Sequence, residues 1–284
     1  MTEGRRAPAW AGLVAHSYRI AGGWAARGLR RRSAGASGPR WPHPRAGLYR
    51  ALVPLEPWRY YELARVAAEP FSGDCLDLSS PKLLASMLNR RRRGRWVAVD
   101  LLASEVEIWR ALDPDLDLRV EDARALSFAD GSFDAVACVS VIEHVEGDGD
   151  ATAMAEMWRV LRPGGVLHLT TNVAAAAGEV RTAAAVYGAA DAPVGPEGAF
   201  FERRYDDAAL SSRLLALPWI EEAREYRRQR RPVHERFFAA RPLSFLAGPL
   251  LPLVCVRNFA PIPSAAAVPE GEHAVVYLRL RRPA

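Results

Sequence analysis

Three carboxylates stand where short apolar runs stop. Cys75-Leu76-Asp77-Leu78 ends in a polar turn, Trp96–Val99 ends at Asp100, and Leu118–Glu121 ends at Asp122. Asp100 follows Asp77 by 23 residues and Asp122 follows Asp100 by 22. In a parallel α/β sheet, ligands bind beyond the carboxyl ends of the strands, where these acids would sit. Asp100 can there accept both hydroxyls of a ribose, or it can cap the next helix. Asp122 can accept from an exocyclic amine while the Ala123 backbone faces a ring, or it can simply close a turn. A longer run, Phe133–Val141, leads into Ile142-Glu143-His144. An imidazole titrates near neutrality, so His144 suits a general base; it can also line a site without moving a proton.

These groups need a scaffold that brings strand ends together. Apolar runs alternating with helical patterns predict an α/β fold with a doubly wound, mostly parallel sheet. Arg162-Pro163-Gly164-Gly165 reads as a helix stop and a turn into a fifth run, 166–170. His168 in that run reads as a core or helix-facing histidine, and Asn172 ends the run, where it can face a substrate. His273–Leu280 alternates and closes the sheet as a late antiparallel strand. After Asp77, Ser80 can cap a helix with Pro81 at its first position. Leu83, Leu84, Met87 and Leu88 give that helix one apolar face. Its N-terminus, with the charge of Lys82, offers a site to a carboxylate. Lys82 is the single lysine beside 37 arginines.

Asp77, Asp100, Glu121-Asp122-Ala123, Asp130–Asp134, Ile142–Val145 and Arg159–Gly165 occur in the order of a known family. The stretch resembles the class I S-adenosylmethionine-dependent methyltransferases, in particular the small type 11 methyltransferase domain. The resemblance implies a seven-stranded Rossmann-like sheet and S-adenosyl-L-methionine as cofactor. It places Asp77, Ser79, Ser80, Lys82, Asp100, Leu101, Asp122, Ala123 and Ser140 around the cofactor. Glu143 and His144 become catalytic candidates, and Asn172, Arg204 and Tyr205 substrate-binding ones. The family usually has a glycine-rich first turn, where glycine lets a ligand approach the backbone. Here Leu78–Leu83 contains no glycine. The alternative is therefore a non-catalytic relative, serving in binding or assembly, that has lost the cofactor loop. A nicotinamide oxidoreductase fails on the missing Gly-x-Gly-x-x-Gly.

A chain of 284 residues, half of them hydrophobic, holds one large α/β domain with additions. The net charge is +5. The arginine bias comes with no base-stacking aromatics and no recognisable module, which argues against nucleic acid as a partner. The three cysteines fit no metal spacing, and none of the acids and histidines cluster as ligands. Cys75 and Cys138 read as buried thiols of a reducing cytoplasm. Residues 1–47 read as a basic N-terminal arm and linker. The arm is either frayed or laid on an anionic membrane surface. Residues 48–284 form the methyltransferase domain, with its cofactor core at 71–173 and an acceptor or lid region at 174–272. Tyr60, Leu63, Ala64 and Ala67 mark a helix before the first strand. Residues 174–190 read as helical, 191–200 as a loop, 219–230 as a charged strand, and Asp206 as a helix cap. Apolar 242–256 is too short to span a bilayer. It either folds over the acceptor as a lid or dips into the inner face of the membrane. The acceptor is expected to be a small molecule or a glycan- or lipid-linked intermediate. Nothing in the sequence sets an oligomeric state.

Overall fold

The computed structural model describes residues 9–31, 55–79, 81–183, 196–233, 248 and 250–284. In chain order the elements are α1 (Ala9–Arg31), α2 (Pro57–Ala67), β1 (Asp74–Asp77), α3 (Leu83–Arg90), β2 (Arg95–Asp100) and α4 (Ala103–Leu112). Next come β3 (Asp117–Val120), β4 (Phe133–Val139), a 3-10 turn (Ile142–His144), α5 (Gly149–Val160) and β5 (Leu161–Val173). The remainder holds β6 (Gly178–Thr182), β7 (Ala199–Arg204), a helical turn over 207–214, β8 (Ile220–Gln229), α6 (Leu251–Asn258), β9 (Phe259–Ile262) and β10 (Ala274–Arg281).

The main sheet runs β3-β2-β1-β4-β5-β10-β8-β9. The five strands β1 to β5 are mutually parallel, and β10 enters antiparallel between β5 and β8. The chain order reverses between β1 and β4, so the ligand crevice of this architecture lies over those two strand ends. The central strands are buried on both faces, as a covered parallel sheet requires. One apolar cluster joins α1, α2, α3, α4 and α6 to one face; the other joins α5 and the 207–214 turn to the opposite face.

Four expectations change. The sheet has eight strands rather than seven, because β9 adds an antiparallel edge beside β8. Pro261 is tolerated there because an edge strand has one unpaired side. Part of 174–190 is strand: β6 pairs with β7 in a separate hairpin. Alanine content favours helix, but Val180 and Thr182 suit the pleat and cross-strand pairing decides. The described part of the N-terminal arm, residues 9–31, is not frayed. Leu13, Ile20 and Trp24 of α1 are buried in the same cluster as Leu63, Leu84 and Leu88. His16 Nε2 meets Ser86 Oγ at 2.8 Å, and that hydroxyl donates to Asp113. Each such apolar side chain adds about 1.5–3 kcal/mol when buried, which suffices to hold a helix that is weak alone. Finally, 251–258 is helical, since Pro252 sits in the first turn, where no N–H is missed. Residues 241–247 and 249 of that apolar stretch lie outside the described residues.

Candidate active site

The first turn is closed by its own side chains. Asp77 is fully buried, and its carboxylate accepts from Ser79 N at 2.8 Å and Ala85 N at 3.3 Å. Burial pushes this carboxyl up, against the pull of Lys82. Ser79 is also fully buried, and its hydroxyl accepts from Val139 N at 3.0 Å, tying the β1 turn to β4. Both residues were expected at the cofactor; in the structure they hold the turn's shape. The expected cap Ser80 lies outside the described residues, and α3 begins at Leu83 with Lys82 in the cap position.

Lys82 is 1% exposed. Its ammonium donates to Ser79 O at 2.6 Å and to Val99 O, and pairs with Asp100 Oδ2 at 3.0 Å. An ammonium has three donors, and all three have protein acceptors. Instead of reaching outward to a ligand carboxylate, Lys82 joins the β1 turn to the end of β2.

Asp100 remains open at the strand end. One oxygen accepts from Leu102 N at 3.0 Å and the other from Lys82. A carboxylate has about four acceptor sites, so two further hydroxyls can still bind. Its side chain is 15% exposed, and Leu101 beside it is 58% exposed. An exposed leucine next to a part-buried carboxylate suits a nucleoside: ribose on the acid, base on the apolar side chain. Asp122 lies beyond β3 with its carboxylate on Arg124, through the backbone N at 2.9 Å and Nη2 at 2.6 Å. The Arg124 guanidinium holds that carboxyl below the usual range. Ala123 is part-buried beside it. The residues present thus fit the adenosine end of S-adenosylmethionine.

Beyond β4 and β5 lies a buried polar group. Ser140 adopts φ 51°, a left-handed conformation that costs a non-glycine residue about 1–3 kcal/mol. Its hydroxyl donates to Glu143 Oε1, and Thr171 Oγ1 donates to Glu143 Oε2 at 3.1 Å. Glu143 is fully buried, and its carboxylate ties Ser140 to Thr171 of β5. His144 Nδ1 lies 2.7 Å from Phe201 O. A carbonyl can only accept, so Nδ1 carries a proton.

The expected substrate residues separate. Asn172 Nδ2 donates to Glu202 at 3.0 Å, and Arg204 Nε donates to the same carboxylate at 3.0 Å. Both are partly exposed at the rim. Tyr205 is fully buried, its hydroxyl donating to Asp150 at 2.9 Å, so it packs within the protein instead of facing a substrate. Arg203 and Arg213 complete that cluster, at 2.7 and 2.8 Å from Asp150.

Sequence reasoning missed residues that α2 brings to the same end, against Thr170 of β5. Glu62, 1% exposed, pairs with Arg59 at 2.6 Å and accepts from Thr170 Oγ1 at 2.9 Å. Burial pushes the Glu62 carboxyl up. Arg59 Nη2 also reaches Ser140 O at 3.4 Å. The available signal was a charged pair at i, i+3 within the apolar face around Tyr60 and Leu63. Trp58 packs on His273 at 4.8 Å and on Phe259 at 5.0 Å, forming an aromatic wall at the mouth.

Residues 76–169 match the model of a methyltransferase domain family. A demethylmenaquinone methyltransferase of Renibacterium salmoninarum is 41% identical over 71 residues, 25% of this chain and 29% of that protein. A ubiquinone/menaquinone biosynthesis C-methyltransferase of Desulfotalea psychrophila is 32% identical over 112 residues, 38% of this chain and 44% of the relative. The chain thus spans less than half the length of these relatives. A solved putative methyltransferase of Bacillus halodurans is 17% identical, with a TM-score of 0.48 over 79% of this chain and 98% of that one. Residues 76–169 are thus similar to a methyltransferase domain.

Proposed function

We propose that the whole chain transfers a methyl group from S-adenosylmethionine to a small-molecule or lipid-linked acceptor. The observation that carries this is the pairing of a part-buried Asp100 carboxylate with exposed Leu101 at the end of β2, beside the crevice over β1 and β4. When bound, the cofactor supplies an electrophilic methyl: its bond to sulfur breaks as the acceptor's electron pair forms the new one, leaving a neutral thioether. Asp100 orients the ribose, and Leu101 and Ala123 flank the base. Catalysis is then mostly alignment of two reactants. In this reading His144 takes a proton from an acceptor hydroxyl or ammonium, which frees the electron pair that attacks the methyl. Asn172 and Arg204, both anchored on Glu202, present polar groups at the rim.

The acceptor atom is oxygen or nitrogen in this reading. A second reading, an aromatic ring methylated at carbon, is favoured by the Trp58–His273–Phe259 wall and by the names of the two relatives. A lipid-linked acceptor places the enzyme in the cytoplasm at the inner membrane face. Leu250, Leu253 and Val254 of the α6 region are 60%, 53% and 49% exposed, while Leu251 and Cys255 are buried against the body. This exposed stripe supports membrane contact more than a closed lid. No described helix is long and apolar enough to cross a membrane.

Methyl-labelled S-adenosylmethionine, incubated with the protein and a total lipid extract or a water-soluble extract, tests the proposal. Label moving into either fraction supports transfer, and its fraction names the acceptor class. No transfer to either, together with no binding of the cofactor, favours the non-catalytic alternative. Flotation with anionic liposomes tests the stripe. Binding lost on Leu250→Ser with Leu253→Ser supports membrane contact; unchanged binding removes that role.

A further inference from the structure

Resting on the methyltransferase reading, we infer that the amino-acid end of the cofactor is held by Arg59 of α2, while Lys82 acts on the cofactor only through Asp100. The two cations stand on either side of the crevice over β1 and β4, and their bonds differ. Lys82 is 1% exposed and has its three donors on Ser79 O, Val99 O and Asp100. Turning it toward a ligand would break all three and leave the Asp100 carboxylate without its cation. Arg59 is anchored by one edge only. Nη1 sits 2.6 Å from Glu62, and Nη2 reaches Ser140 O at 3.4 Å, near the limit of a hydrogen bond. Exchanging that long contact for a ligand carboxylate costs little and gains a charge-assisted bond.

Glu62 makes the assignment specific. It is nearly fully buried and fixed by Thr170 Oγ1 at 2.9 Å, so it holds the guanidinium over the end of β4. An ion pair buried this deeply is a poor source of stability, because desolvation offsets its attraction. A binding role accounts for its position. Ser140 is held at φ 51° by its bond to Glu143, which aims the Ser140 carbonyl at Arg59. Once Arg59 turns to the carboxylate, that carbonyl is available to the ligand's ammonium. A zwitterion would therefore find an acceptor and a cation side by side across β4. This arrangement supplies what a glycine-rich first turn would otherwise provide. The closed turn from Asp77 to Lys82 becomes a rigid floor.

Two ligands separate the roles: S-adenosylhomocysteine, which carries the amino-acid end, and 5′-methylthioadenosine, which lacks it. Calorimetry on the full chain should show Arg59→Gln weakening S-adenosylhomocysteine on the order of tenfold to a hundredfold, the range for a bond to a charged group. Methylthioadenosine should bind that variant within about twofold of wild type, since the lost bond belongs to the missing group. Retained methylthioadenosine binding also shows that the variant is folded. Arg59→Gln with Glu62→Gln, which leaves no unpaired buried charge, should behave alike. Lys82→Met should weaken both ligands by a similar factor. If Lys82→Met weakens S-adenosylhomocysteine and spares methylthioadenosine, the assignment is reversed. If Arg59→Gln leaves both unchanged, Arg59 is structural. A wild-type protein that binds neither ligand overturns the methyltransferase reading, and this assignment with it.

Discussion

The two sides of the crevice are built on different terms. On the β1–β2 side Asp77, Ser79 and Lys82 are closed against protein, Asp77 on backbone N–H groups, Ser79 on Val139 and Lys82 on three oxygens, while Asp100 keeps acceptor positions open at the strand end. On the β4–β5 side Glu143 is buried and Ser140 sits in a strained backbone, while the partly buried Arg59 pairs with Glu62 at 2.6 Å and keeps one long contact of 3.4 Å to Ser140 O. The first side is a floor and the second a hand. A chain without first-turn glycines can keep a rigid turn if an internal lysine ties the strand ends and recognition moves to the other side.

The largest effect should come from breaking the floor. Asp100→Ala removes the carboxylate paired with the buried Lys82 ammonium and leaves it on two carbonyls, and losing one member of such a pair costs about 3–5 kcal/mol. Urea unfolding measures this. Adding Lys82→Met should recover much of it, and no recovery would show that the pair is not the reason. On the other side, Glu143→Ala strands the hydroxyls of Ser140 and Thr171 and should cost about 1–3 kcal/mol. Because Glu143 positions Ser140, the variant should also loosen cofactor binding. Loss of stability with unchanged affinity would separate the Ser140 geometry from recognition.

A pH effect of intermediate size belongs to neither side. Burial lowers His16 to about 3 and His168 to about 4, with neighbouring arginines adding to the shift at His16. Both ordinary values are 6.5. Between the folded and unfolded values the unfolded chain binds more protons. The contribution is therefore complete above about pH 6.5 and is lost as pH falls, by up to about 1.4 kcal/mol per unit per histidine. Glu62 and Asp77, raised by burial, have the opposite sign. Comparing wild type with His168→Phe between pH 4.5 and 7 isolates the histidine, and parallel stability curves would contradict this account. The smallest effect should be at the rim. Arg204→Gln should change stability by no more than about 1 kcal/mol, as expected for a partly exposed pair, while raising KM for the acceptor. An unchanged KM would take Arg204 out of the acceptor site.

Much of the scaffold was legible. Apolar runs ending in acids gave β1, β2 and β3, and the alternation at 273–280 gave β10, whereas Pro163-Gly164-Gly165, expected as a helix stop and a turn, lies inside β5, which starts at Leu161 directly after α5 ends at Val160. Asp206 caps the next helical turn as expected, its side chain accepting from Ala209 N at 2.7 Å. His168 and the cysteines of β1 and β4 are buried as expected. What failed depends on tertiary contact. The docking of α1 rests on Leu13 and Trp24 finding α2 and α3, and β6 exists only because β7 pairs with it. Lys82 read as a charge offered to a ligand carboxylate because burial does not show in composition. Arg59 and Glu62 drew no reading for the same reason.

The central claim is that the end of β2 holds an adenosine through Asp100. Titrating the full chain with S-adenosylhomocysteine, wild type beside Asp100→Asn, tests it most directly, with thermal melting as the control for folding. The account predicts saturable one-site binding to wild type and a loss of about tenfold or more in the variant, as expected when hydroxyls lose a charged acceptor. No binding to folded wild type at millimolar ligand, or equal affinity in both proteins, would contradict it.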